Sequence, residues 1–466
     1  MNDIITDILK KTENCSSLGD FEDIVYPILS NFCCECLAAV FTQLDQQLIQ
    51  RYQAEGWKIA RYEPRTLCFM FGAVTFRRCR MKKEGHSSFL PLDLCLGLEA
   101  RSHLSSQVKE KIAQLCTKQT FRATAEAFNA LMPFSISHQT AHHIVQEIGQ
   151  KILSFENKKA EEKELAYSQK RSVPFLYIEG DGVLITKKKK KGKRTKHLQL
   201  HRVTLYEGVD RSTSRHQLIQ AHYFSSVQSS AALREKVSRF LNSYYDLHQT
   251  IVISNSDGGS GYTEEDFNEM IGVCLRHEHF CDKFHVIQKI RTRLFFDHKI
   301  RQLVIKKVKA YDFEGVQVTL ETCESRWHHH QEFLAEIEAL RAYLQRNWLL
   351  IKPAEQRGLP NHFSGGVCEA GHRLYTYRMK KQGRNWTRQG AAAMAAIITA
   401  QSNHCFEEAV RSDIEANTSP FIPEYPGLVR AILCHRPQQS SCGAHQGTIP
   451  SEVSSSMVGK LYHTFC

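Results

Sequence analysis

The chain has 466 residues, enough for two or three domains, and is 42% hydrophobic and 24% charged, an ordinary soluble composition. Of its net charge of +12, eight positive charges fall in one run (Lys187, Lys188, Lys189, Lys190, Lys191, Lys193, Arg194 and Lys196). That leaves +4 for the rest of the chain and points to a polyanion bound at one place. No apolar stretch of membrane-spanning length stands out and no signal sequence follows Met1, so a cytoplasmic protein without a membrane partner is expected.

Residues 1–56 read as helix, with Ile24, Ile28, Cys36, Val40, Leu44 and Leu48 near three- and four-residue spacing. A hairpin is predicted around Gly72, in a stretch rich in β-formers. Three helices follow, over 105–116, 121–131 and 138–148, the last capped by Ser137. Two short helices joined by a tight turn, the second opening with His138 and Gln139, resemble a DNA-reading helix-turn-helix; a plain helical hairpin gives the same pattern. The charged segment 155–171 marks the main domain boundary, so 1–155 forms the N-terminal, mostly helical DNA-binding region.

The next stretch has a clear order: strands over 173–180, 198–207 and 216–224, a helix over 229–243, a strand over 249–256, a helix from Thr263 and a short strand at 279–281. This β-β-β-α-β-α-β order predicts an α/β, ribonuclease-H-like catalytic core over 172–285. A helical insertion over 286–360 carries the stripe Phe333, Ile337, Leu340, Leu344 and Trp348, which reads as core. The core resumes over 361–411, and 412–466 forms a tail.

Three acids stand out. Asp181 ends the run Val173-Pro-Phe-Leu-Tyr-Ile-Glu-Gly-Asp181, Asp257 ends Ile251-Val-Ile-Ser-Asn-Ser-Asp257, and Glu369 opens a helix-like stretch after Gly365-Gly366. Carboxylates at strand tips can hold two divalent cations about 4 Å apart, the arrangement used for phosphoryl transfer. Magnesium prefers such hard oxygen ligands, and manganese can replace it. Asp-Gly is also a common turn dipeptide; two of them ending β-rich runs favour the catalytic reading. Asp282 and His285 lie three residues apart on one helix face. The lysine run, beside Asp181, suits DNA phosphates. Arg378, Lys380 and Trp386 either grip a strand and stack on a base, or form a basic helix end with Trp386 in the core. Sixteen cysteines without a secretory signal read as reduced thiols, and Cys434, His435, Cys442 and His445 have no established zinc spacing.

Over residues 65–400 the chain resembles an insertion-sequence transposase of the ISLre-two type, a bacterial relative of the Mutator-like DDE enzymes. The resemblance rests on the order of Phe71-Gly-Ala-Val-Thr-Phe-Arg-Arg78, Leu92-Asp-Leu-Cys-Leu-Gly-Leu98, Ile178-Glu-Gly-Asp-Gly-Val183, Asp257-Gly258, Asp282-Lys-Phe-His285, Glu369, and Arg378-Met-Lys380 to Trp386-Thr-Arg-Gln-Gly390. It implies that Asp181, Asp257 and Glu369 form a magnesium-binding triad and that Asp282 and His285 are an aspartate-x-x-histidine signature. It further implies binding of double-stranded DNA at terminal inverted repeats, strand cleavage and strand transfer, nucleoid association, and a homodimer or larger synaptic assembly. Where such enzymes often have an alanine and then a tryptophan after the second Asp-Gly, this chain has Gly259-Ser-Gly-Tyr262. A catalytically inactive DNA-binding remnant or regulator, or a ribonuclease-H-like nuclease, is the alternative.

Overall fold

The computed structural model describes residues 2–161, 169–188, 197–212, 217–359 and 367–417. Helices α1 (Asn2–Thr12) and α2 (Leu18–Ala54) precede an antiparallel sheet of β1 (Lys58–Phe69), β2 (Gly72–Lys83) and β3 (His86–Phe89), then the short helix α3 (Pro91–Cys95). Next come α4 (Ser106–Cys116), α5 (Phe121–Leu131) and α6 (His138–Glu161). Side-chain oxygens of Ser105 and Thr120 accept the amides of Val108 and Ala123, which starts α4 and α5 where the sequence places them.

The central region runs β4 (Arg171–Ser172), β5 (Phe175–Thr186), β6 (His197–Tyr206), a small hairpin β7 (Gly208–Asp210) and β8 (Gln217–Ile219), and β9 (His222–Ser226). It continues with α7 (Ser230–Tyr244), β10 (Tyr245–Asp246), β11 (Ile251–Ser256), α8 (Glu264–Ile271) and β12 (Arg276–Cys281). The five-stranded sheet has the order β12-β11-β5-β6-β9. β12, β11 and β5 are parallel, whereas β6 is antiparallel to β5 and β9 in turn is antiparallel to β6. The chain is therefore a mixed α/β protein built on a mixed sheet.

A helical segment follows, with α9 (Lys283–Arg293), α10 (His298–Lys309), α11 (Phe313–Arg326) and α12 (Gln331–Asn347), then α13 (Val367–Met379), α14 (Arg388–Ser402) and α15 (Phe406–Asn417). Ile337, Leu340 and Leu344 are buried among α9–α12, so the predicted stripe is core. One face of the sheet packs on α7 and α8 through Leu176, Ile178, Val203, Leu205 and Val252. A separate core joins α4–α6 to α14, α15 and the far halves of β5 and β6. It runs without a break past residues 155–171, where the sequence reading puts a boundary, and α6 itself extends to Glu161.

Two expectations need correction. The first strand does not stop at residue 180: it continues through Asp181 and Gly182 to Thr186, because β6 supplies ladder partners that far. The 37-residue helix α2 is long and apolar enough, by length and composition, to cross a membrane, a stretch that the sequence reading does not anticipate. Its C-terminal half packs on the β1–β2 hairpin, and buried Asp45 accepts the Cys79 amide there (3.0 Å). Twelve cysteines of the described residues carry free thiols.

Candidate active site

Strand register brings the aspartates level. Asn255 of β11 pairs with Glu179 of β5, and the same register carried two places further would set Asp257, just past the end of β11, level with Asp181. Ser256 pairs with Cys281 of β12, so Asp257 also falls beside Asp282. The Asp282 amide donates to the Ser256 carbonyl oxygen (2.7 Å), which holds these two strand ends together. Side chains alternate across a sheet, and residues paired side by side share a face. Asp181, Asp257 and Asp282 thus belong to the face opposite α7 and α8.

That face is also the one on which α13 lies. Asp181 pairs across the antiparallel ladder with Arg202, and the buried Arg202 guanidinium carbon lies 5.1 Å from the centroid of the Tyr375 ring on α13. The Tyr375 hydroxyl is 2.8 Å from Thr399 Oγ1 of α14, and α13 packs along β5. The helix bearing Glu369 therefore covers the strand bearing Asp181; the Glu369 side chain lies outside what the structure describes. Among the described residues, no three of His, Cys, Asp and Glu come together as a metal-binding group.

Local hydrogen bonds preset the two described acids. Asp181 Oδ1 accepts its neighbour's amide from Gly182, and Asp257 Oδ1 accepts the Gly259 amide (2.8 Å). Asp282 caps α9, its Oδ1 accepting the Phe284 amide (2.7 Å), with His285 half-buried on the first turn. Asp282 and His285 thus lie just past the end of β12, near Asp257.

Tyr262 explains the unusual loop after Asp257. Its hydroxyl donates to the Asp181 carbonyl oxygen (2.8 Å) and accepts the Arg202 amide (3.1 Å), while its ring is buried. The loop is thereby tied to the backbone of the first aspartate. A Cβ on Gly180 would lie 2.6 Å from the Tyr262 ring, so the glycine before Asp181 makes room for this tie. Neither Tyr262 nor Arg202 is predicted as a site residue. Arg202 had a signal, since a charged side chain within an apolar strand must find a partner when buried.

The basic residues divide. His138, Gln139 and Lys380 are exposed. Lys187 bridges to Trp386, and the Lys188 amide donates to the Trp386 carbonyl oxygen (2.8 Å), so the foot of the lysine run is anchored to the segment after α13. Lys189, Lys190, Lys191, Lys193, Arg194 and Lys196 lie outside the described residues. Arg378 and Trp386 are corrected: they are 1% and 5% exposed, so neither can stack on a base. The Arg378 guanidinium lies 5.0 Å from the Phe121 ring and 5.1 Å from the Trp386 ring, and its Nε donates to the Cys116 carbonyl oxygen (2.6 Å). Burial pulls its pKa down to about 10, which leaves it charged. It joins α13 to α4 and α5.

An α/β protein on a mixed five-stranded sheet, with Asp181 inside β5 and Asp257 just past the end of β11, is the class that this fold defines. The chain belongs to the Uncharacterised protein family (UPF0236), whose model matches residues 11–414. It is 37% identical over 459 residues to a Streptococcus gallolyticus protein described as "UPF0236 protein in vanSb 3'region", an alignment spanning 98% of this chain and 99% of that protein.

Proposed function

We propose that this chain is a metal-dependent DNA transposase: it binds the ends of a mobile element, cuts a strand and joins the freed 3′-hydroxyl to target DNA. The observation that carries the reading is the level placement of Asp181 and Asp257 on one sheet face, under the helix that bears Glu369. The strand order β12-β11-β5-β6-β9, with β12, β11 and β5 parallel, is the order expected of a ribonuclease-H-like core and supports the same reading.

The donor set fits magnesium. Asp181 and Asp257 would offer hard carboxylate oxygens, and Glu369 would be the third ligand. When bound, two such cations would supply an activated nucleophile and a stabilised leaving oxygen. The chain's own residues do the rest. Tyr262 fixes the backbone of Asp181 and thereby the spacing between the two aspartates. Asp282 and His285 border the same strand end, where His285 can hydrogen-bond a phosphate oxygen. The lysine run beside β5 would neutralise DNA phosphates, and His138 and Gln139, exposed at the start of α6, would reach base edges.

The deciding experiment is cleavage of an end-containing DNA by the purified chain in magnesium, beside Asp257→Asn. Cutting by the wild type alone, leaving a 3′-hydroxyl and abolished by EDTA, is expected. Strand joining separates a transposase from a ribonuclease-H-like nuclease. DNA binding with no cutting in magnesium or manganese would sink the enzyme reading and favour a DNA-binding regulator.

A further inference from the structure

The helices α9–α12 bring a second set of side chains to the carboxylate end of the sheet. Phe284, in the first turn of α9, is 46% exposed beside Asp282. Burying such a ring stabilises a fold, so leaving it in water next to a candidate active site forgoes stability that folding could have used. Lys283, beside it, is exposed. One turn further, the Lys289 ammonium lies 5.8 Å from the centroid of the Tyr343 ring on α12. The Tyr343 hydroxyl is 3.8 Å from Sγ of Cys281, the last residue of β12. Burial pushes the Tyr343 pKa up. Arg346, exposed one turn later on α12, lies close enough to act on the same group.

Two aromatic rings and three cations therefore border the strand ends that carry Asp257 and Asp282. Duplex DNA presents phosphates but keeps its base faces stacked away, whereas a single strand presents both. Cations alone would suit either form; an exposed ring among them suits an unpaired base. We propose that this rim of α9 and α12 holds an unpaired DNA strand beside the carboxylates. Phe284 stacks on a base, Lys283, Lys289 and Arg346 neutralise phosphates, and the Tyr343 hydroxyl donates to a phosphate oxygen. The inference rests on the transposase reading for where the strand is cut, and adds that the DNA next to that phosphate is melted.

The test is a fluorescence-anisotropy titration of the full chain in EDTA with a labelled oligothymidylate and, separately, a blunt hairpin duplex. Phe284→Ala is expected to weaken single-strand binding by about tenfold, the loss of one base stack, with duplex binding changed by less than about twofold. Phe284→Trp should retain single-strand binding. Lys289→Ala should lower the salt slope of single-strand affinity by about 0.7. The proposal is overturned if the wild type does not bind the oligothymidylate. It is overturned equally if folded Phe284→Ala binds it as tightly as wild type, or weakens on both ligands alike. Cleavage of end DNA by Phe284→Ala at the wild-type rate sinks this inference alone. Single-strand binding that needs Phe284, with no cutting by the wild type, sinks the enzyme reading alone.

Discussion

Ser254, in the middle of β11, sits between two imidazoles, that of His277 half-buried and that of His279 buried: its Oγ is 2.7 Å from His277 Nε2 and 2.7 Å from His279 Nδ1. Burial pulls the pKa of each histidine down to about 4, so both are neutral in the folded chain. An unfolded histidine titrates near 6.5. A depressed folded pKa means that the stability contribution is fully present above about 6.5 and is lost as pH falls towards 4. Urea unfolding should therefore show a lower midpoint at pH 5 than at pH 7, with a cost on the order of 2 kcal/mol for protonating one histidine of the pair. His277→Gln should flatten that dependence, and an unchanged pH slope in this variant would show that acid weakens the fold elsewhere.

At the scale of elements, α6 and α14 approach more closely than most helix pairs can. A Cβ on Gly149 of α6 would lie 2.8 Å from the Ala393 carbonyl oxygen and nearer still to that residue's Cα and Cβ. Ala391, Ala393, Ala395 and Ala396 keep the facing helix slim there. Helix propensity alone favours Gly149→Ala by about 1 kcal/mol. Packing opposes it, because the added methyl meets backbone that cannot yield without moving a helix, at about 1–3 kcal/mol. We expect Gly149→Ala to be net destabilising, by up to about 2 kcal/mol in urea unfolding; a more stable variant would mean that the two helices can separate freely.

The whole molecule joins a DNA-reading candidate to a catalytic candidate through one buried cation. Arg378 stands between Phe121 of α5 and Trp386, and Trp386 is bonded to the base of the lysine run. Charge removal along Lys189, Lys190, Lys191, Lys193, Arg194 and Lys196 should weaken duplex binding about equally for all sequences. It should also lower the salt slope by about 0.9 for each DNA phosphate that is no longer neutralised. His138→Ala with Gln139→Ala should instead relax the preference for element ends and leave that slope nearly unchanged. Competition titrations at several salt concentrations distinguish the two effects. A lysine variant that loses only sequence preference would contradict this division of labour.

Much of the architecture was legible in the residues because the signals are local. Ser105, Thr120, Ser137 and Thr263 start helices through side-chain caps that need only three residues of context. Alternating and apolar runs marked the strands in their order, and the compact lysine run was plain from composition. The structure alone decided which acids share a face. Strand pairing across some seventy residues, set by Asn255 against Glu179, is a long-range choice that no local pattern encodes. It likewise decided that Asp181-Gly182 continues a strand in place of turning, since β6 supplies the ladder. The same holds for Arg378 and Trp386, whose cation and ring read equally well as a DNA grip or as core. Their burial depends on Phe121, from a helix more than two hundred and fifty residues earlier. Local sequence sets what each segment tends to be, and tertiary packing sets which side chains water can still reach.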